Sequence, residues 1–322
     1  TGAEGDYGDC VARELETLGL DVERQALSPG RFNVLARAGQ PEVVFCTHLD
    51  TVPPFIPPRC DGDHVHGRGA CDAKGQAVAM IAAVRTLLAR GEDRVGLLLT
   101  VGEETTSDGA ALANQRLAEP WHPRYLVIGE PTDLQFIGAH KGIYKAKLQA
   151  RGVAGHSSQE LGPSAIHELL RATSRMLDLE LGLHPLLGRG TLNIGTIQGG
   201  IAANVVAEAA EAEILVRTVE QPEVVEAKLR ACLPAQVQLH SLHKAYGPVE
   251  FCVPEGETGR PAAFGTDAPH LPHWGRQFLY GCGSILDAHT DHERLEKRVL
   301  ARCVERHVRL AAGLLARAEV GT

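Results

Sequence analysis

Apolar residues at helical spacing, Tyr7, Val11, Leu15 and Leu18, closed by Gly19, predict an amphipathic helix at the start of the chain. A pair of strands is expected to follow, ending by Ala38. The pattern then changes to unbroken apolar runs. Val43 to Thr47 leads into His48 and Asp50 before Pro53 and Pro54 stop it. So short a run, rich in β-branched and aromatic residues, reads as a buried parallel strand. Two further runs repeat the arrangement: Leu97 to Val101 delivers Gly102, Glu103 and Glu104, and Tyr125 to Ile128 delivers Gly129 and Glu130. Ligands of open α/β sheets collect at the carboxyl ends of strands, and here three such ends carry residues of metal-ligand type. The glycine-punctuated loop GRGACDAKG sets Asp72 just before an alanine-rich helix expected from about Gln76 to Arg90.

From Tyr144 the character differs. YKAKLQAR alternates with period two; Ile166, Leu169, Leu170, Thr173, Met176 and Leu177 return to helical spacing; TLNIGTI and Val206 to Val216 read as strands. Pro222 opens a helix through Leu229 and Cys232, and VQLHSL closes with a strand. The order β-α-β-β-α-β is the ferredoxin-like pattern. QFLY, the loop GCGSILDAHTDHE and a long terminal helix resume the first style. The expectation is an α/β protein whose catalytic domain, residues 1–143 and 247–322, has a mostly parallel sheet, with a ferredoxin-like α+β domain inserted at 144–246.

Composition narrows the function. With 322 residues, 44% hydrophobic and 22% charged, the chain can bury a large core. A net charge of -8 argues against nucleic acid as partner and for a small-molecule substrate. No apolar run approaches the ~20 residues of a membrane span, and the start shows neither a basic n-region nor an apolar h-region. A soluble cytoplasmic protein is expected. Thr1 is not an initiator methionine, so some chain upstream of it is expected to be absent. The eight scattered cysteines include no C-x-x-C and read as reduced thiols, Cys46 and Cys71 as packing residues beside the site.

Several familiar chemistries fail on spacing. Asp72 stands where a dinucleotide fingerprint needs its third glycine, and Lys74 precedes Gly75 where a Walker loop needs Gly-Lys-Ser/Thr. Gly155-His156-Ser157-Ser158-Gln159 lacks the spacing and final glycine of a nucleophile elbow, and no H-E-x-x-H occurs.

What remains is a set of two imidazoles and three carboxylates, His48, Asp72, Glu104, Glu130 and His289. Such N/O donors suit two zinc ions about 3.5–4 Å apart sharing one carboxylate. Glu103 is spare, the natural general base for a water activated there, and its presence argues against a purely structural or inactive metal protein. His64, His66, His140, His270 and His273, near glycines or prolines in expected loops, receive no ligand role. Arg217, ending an alternating strand, is a candidate fork for a substrate carboxylate.

The motifs HLDTVP, GRGACDAKG, GEET, GEPTD, AGHSS, GGIAANVV, FGTDAPHL and GCGSILDAHTDHE, in that order over nearly the whole chain, resemble the M20 metallopeptidase and amidohydrolase family. That family includes acetylornithine deacetylase, succinyl-diaminopimelate desuccinylase and carboxypeptidases of the G type. The resemblance implies that Asp72 bridges two ions, with His48 and Glu130 completing one site and Glu104 and His289 the other. It implies Glu103 as base and Asp50 as the partner orienting His48. It also implies an inserted domain serving as lid and homodimer interface, which brings His156 and Asn204 to the substrate; Thr266 in FGTDAPHL is a further binding candidate. His292 stands where relatives usually carry Asp, leaving His289 and His292 as rival ligands. The expected cofactors are two divalent ions, zinc with cobalt or manganese as substitutes. The expected reaction is deacylation of an N-acyl amino acid in the manner of acetylornithine deacetylase, with dipeptidase or carboxypeptidase action on short peptides as the alternative.

Overall fold

All residues of Val43–His48 and Val95–Thr100 are buried, as their unbroken apolar character requires. The computed structural model describes residues 2–159, 161–242 and 245–320, the last four of these by backbone alone. The chain divides into two units: Thr1–Gly138, Phe251–Arg260 and Thr266–Thr322 form the first, Ala139–Glu250 and Pro261–Gly265 the second.

At the centre of the first unit, Val95–Thr100, Val43–His48, Tyr125–Ile128 and Arg276–Leu279 lie side by side in that order, all parallel. Flanking strands run the other way: Asp21–Ser28 and Arg31–Arg37 form a hairpin that joins Val95–Thr100 antiparallel, and Ile137–His140 meets Arg276–Leu279 antiparallel. The sheet is therefore mixed rather than mostly parallel. The cause is connection length. Parallel neighbours need a crossover of a dozen or more residues, whereas Pro29 and Gly30 alone join the hairpin strands.

Phe45, Leu97 and Leu99 pack with Val84 and Leu87 of helix Lys74–Leu88, Ala311 and Leu315 of helix Lys297–Val320, and Val11 and Leu15 of helix Gly5–Thr17. Burial of each large aliphatic side chain contributes on the order of 1.5–3 kcal/mol. That rigid slab holds the strand ends in place.

The second unit carries an antiparallel sheet in the order Thr191–Gly199, Ala209–Thr218, Gly142–Arg151, Val237–Ser241. Helices Ala165–Leu177 and Pro222–Ala231 cover one face, where Leu169, Met176, Val225 and Leu229 meet Tyr144, Leu148, Ile214 and Val216. The other face is polar: Lys147 pairs with Glu211 at 2.6 Å. Among the described residues no helix is long and apolar enough to cross a membrane.

Candidate metal centre

Parallel strands end on the same edge, and register aligns them: His48 lies beside Thr100, and Cys46 beside Ile128. One to four residues further along their strands come Gly102, Glu103, Glu104, Gly129 and Glu130. The Gly102 turn has φ of +80°, and a Cβ there would lie 2.2 Å from an Asp108 oxygen. Glycine is required both for this left-handed backbone and for the close approach.

Asp50 fixes the turn. Its Oδ1 accepts from the backbone N–H of Gly102 (3.0 Å) and Glu103 (3.1 Å), and its Oδ2 from that of Glu104 (3.1 Å). Three amide donors on one carboxylate form a strong, charge-assisted anchor. Asp50 also lies 3.4 Å from His48 Nδ1, whose contact to the Asp50 carbonyl oxygen is 3.0 Å. His48 thus presents Nε2 forward.

Asp72 receives that nitrogen: its Oδ1 is 3.0 Å from His48 Nε2, while its Oδ2 is 3.3 Å from His289 Nε2. His289 Nε2 is also 3.0 Å from Glu104 Oε1. Two donor groups result, His48–Asp72–Glu130 and Asp72–Glu104–His289, each with its ligand atoms within 4.8 Å of one another. Asp72 belongs to both, one oxygen towards each histidine. Zinc–ligand bonds of about 2.0–2.2 Å set neighbouring donors of a tetrahedral ion roughly 3.3–3.6 Å apart. The donor set fits two divalent ions.

Charge crowding says the same. Burial, reinforced by Glu103, pushes the Glu130 carboxyl well above the usual carboxylate range; burial and Asp72 raise that of Glu104. Half-buried Glu103 is raised well above its ordinary value too, chiefly by desolvation. Asp72 is the exception: burial opposes its ionisation, yet the hydrogen bonds from His289 and His48 hold it low. His289 rises to about 9, first through its hydrogen bond to Asp72. So many acids converging in low dielectric need cations to remain ionised.

One support was not legible beforehand. Glu293, 1% exposed, accepts from the backbone N–H of Cys71 (3.0 Å) and Asp72 (3.1 Å) through Oε1 and from Arg68 Nη1 (2.8 Å) through Oε2. It ties the Asp72 loop to the His289 loop. The only sequence signal was an acid inside the HTDHE motif; nothing local pairs it with an arginine 225 positions away. His292 is exposed, sits 3.0 Å from Asp291 and falls in neither donor group.

Of the substrate candidates, His156, Asn204 and Arg217 belong to the second unit and Thr266 to the first. His156, exposed in the short strand Gly155–His156, has Nδ1 2.8 Å from Ser158 Oγ. Asn204 is exposed nearby, its carbonyl accepting from Ser157 N–H at 3.0 Å. Arg217 sits in Ala209–Thr218, half-buried, and its Nη1 is buried with no hydrogen-bond partner among the described residues. Thr266 is 2% exposed, and its Oγ1 accepts from Ala268 N–H at 3.1 Å, just ahead of the short 3₁₀ turn Ala268–His270.

The family model for peptidase family M20/M25/M40 matches residues 44–313. A protein of Aspergillus flavus named "Probable carboxypeptidase" is 36% identical over 361 residues, covering 97% of this chain and 86% of its own. By fold, the aminopeptidase PepT of Bacillus cereus superposes with a TM-score of 0.80 at 21% identity, over 96% of this chain and 92% of its own. The YXEP protein of Bacillus subtilis, described as a dinuclear metal-binding peptidase, gives 0.71 at 14% identity, over 97% and 93%. This chain belongs to peptidase family M20/M25/M40 and is a metal-dependent hydrolase of amide bonds.

Proposed function

We propose that the chain is a two-metal carboxypeptidase or dipeptidase that releases the carboxyl-terminal residue of a short peptide. The observation that carries it is Asp72 turning one oxygen to each of two donor groups, with Glu103 beside them and in neither. Bound there, two divalent ions would polarise the scissile carbonyl and lower the pKa of a water. Glu103 would act as the base that takes a proton from a water there and returns it to the leaving amine, while Asp50 holds the backbone of the glutamate pair still.

Arg217 is assigned the substrate carboxylate, because a buried guanidinium nitrogen without a partner is costly unless a ligand supplies one. The carboxypeptidase name of the Aspergillus relative supports the same reading. Deacylation of an N-acyl amino acid, the reaction expected first from the sequence, uses the same metal centre and is kept as the competing outcome of the test below. The eight free cysteines support a reducing, cytoplasmic setting.

A panel of dipeptides, N-acetyl and N-succinyl amino acids and their carboxamides, assayed with zinc or cobalt, tests this. Dipeptides with a free carboxylate are expected to be the best substrates, and Arg217→Lys to raise KM strongly for every free-carboxylate compound and not for the carboxamides. Equal cleavage of the amidated compounds, or an unchanged KM, removes the arginine from recognition; an N-acyl amino acid as the best substrate makes the enzyme a deacylase.

The second unit is proposed to act as lid and homodimer interface, with His156 donating across it to the oxyanion of the partner's substrate. Loss of such a donor costs on the order of 10²- to 10³-fold. Mixing His156→Ala with Glu103→Gln under subunit exchange should restore activity, since one site of the heterodimer then has both groups intact. Verified exchange without recovery places His156 in its own subunit's site or in none.

A further inference from the structure

The sequence His64-Val65-His66 lies on a strand, not in a loop. Alternation turns both imidazoles to one side, while Val65 faces the other, opposite buried Leu295. Their rings stand 5.7 Å apart between centroids. Asp61 completes a triangle: its Oδ2 is 2.7 Å from His66 Nε2 and its Oδ1 3.9 Å from His64 Nδ1. One donor atom from each of the three residues lies within 4.8 Å of the other two. We propose that Asp61, His64 and His66 form a third divalent-cation site, distinct from the catalytic pair, that takes a transition ion of the zinc, nickel or copper class.

The plain alternative is a capped turn. Asp61 Oδ1 does accept from the backbone N–H of Asp63 (2.9 Å) and His64 (2.7 Å), which orients the carboxylate. That capping, however, leaves Oδ2 to His66 and gives His64 only the 3.9 Å approach to Asp61. These two approaches, each to a different oxygen of Asp61, lie on either side of the roughly 3.3–3.6 Å between donors of a tetrahedral ion, and three protein ligands leave a fourth position for water. Two imidazoles select zinc, nickel or copper over magnesium or calcium, which prefer oxygen.

Local charge sets the order of filling. Arg59 Nη1 lies 3.7 Å from Asp61 Oδ2, and Arg294 is the cross-strand partner of His66. These cations weaken the site relative to the acid-rich centre. On the other side Glu296, the cross-strand partner of His64, supplies a compensating negative charge. None of Asp61, His64 and His66 belongs to either catalytic donor group, so occupancy can be separated from turnover.

The test counts ions on the intact enzyme. Protein carrying two zinc ions per chain is dialysed against rising free zinc and its metal measured by mass spectrometry. Wild type is expected to pass from two ions to three. His64→Ala and His66→Ala should each weaken the third ion at least ~10-fold while keeping wild-type kcat at low zinc, which also shows that they fold. A His64→Gln, His66→Gln double variant carries the same test if either alanine variant fails to fold. Wild type that stops at two ions overturns the site, as does a third ion retained with unchanged affinity in the variants.

Discussion

Glu103→Gln is expected to retain both metal ions and to turn over on the order of 10²- to 10⁴-fold more slowly. The amide keeps the shape of the side chain and the backbone bond from Glu103 N–H to Asp50, but it has no basic oxygen for a proton. Because Glu103 stands outside both donor groups, metal content should not fall with activity. Burial raises the proton affinity of its carboxyl, which favours a base over a spectator charge. Glu104→Gln supplies the contrast: one residue along and 3.0 Å from His289, it should lower metal occupancy first and activity as a consequence. Metal analysis beside kcat decides between them. Reversed behaviour of the two variants would exchange their assignments.

Asp72→Ala is expected to empty both sites, weakening each ion by ~10²-fold or more and leaving no measurable hydrolysis. Its two oxygens face His48 and His289 at 3.0 and 3.3 Å, so a single truncation strips one donor from each group. The loop itself should survive, since Glu293 binds the backbone N–H of residue 72, not its side chain. His289→Ala, by comparison, removes a donor from one group only and should leave one ion in place. One ion held at full strength by Asp72→Ala would show that the carboxylate is not shared.

The central strands were readable because a strand buried on both faces must be apolar throughout, and Val43–His48 and Val95–Thr100 are. The polar residues just after them were readable for the complementary reason: a slab so apolar leaves its chemistry to its ends. Period two in YKAKLQAR likewise announced a sheet with one covered face, and Gly142–Arg151 buries alternate residues. What stayed hidden depends on contacts distant in sequence. Nothing near Arg68 announces Glu293, and nothing in HVHG tells a strand paired to Arg294–Glu296 from a loop. The strand pair ending by Ala38 was expected, but not its antiparallel join to the central strands, because a strand pattern carries no direction. His289 could not be told from His292 by composition; His289 takes φ of 63°, a backbone setting that no pattern of residue types specifies.

The grip of Asp50 on three consecutive amides has a further implication for how this chain can vary in length. Base and ligand hang from one carboxylate, so their spacing is internal to a single turn. The loops among the residues between Asp50 and Gly102, which are 52 positions apart, can therefore gain or lose residues without altering it, provided the strands keep their alignment. One residue inserted between Gly102 and Glu104 would leave an amide off the carboxylate and rotate one glutamate away. Tolerance to insertion should accordingly be broad across the surface loops and fall to nothing over these three residues.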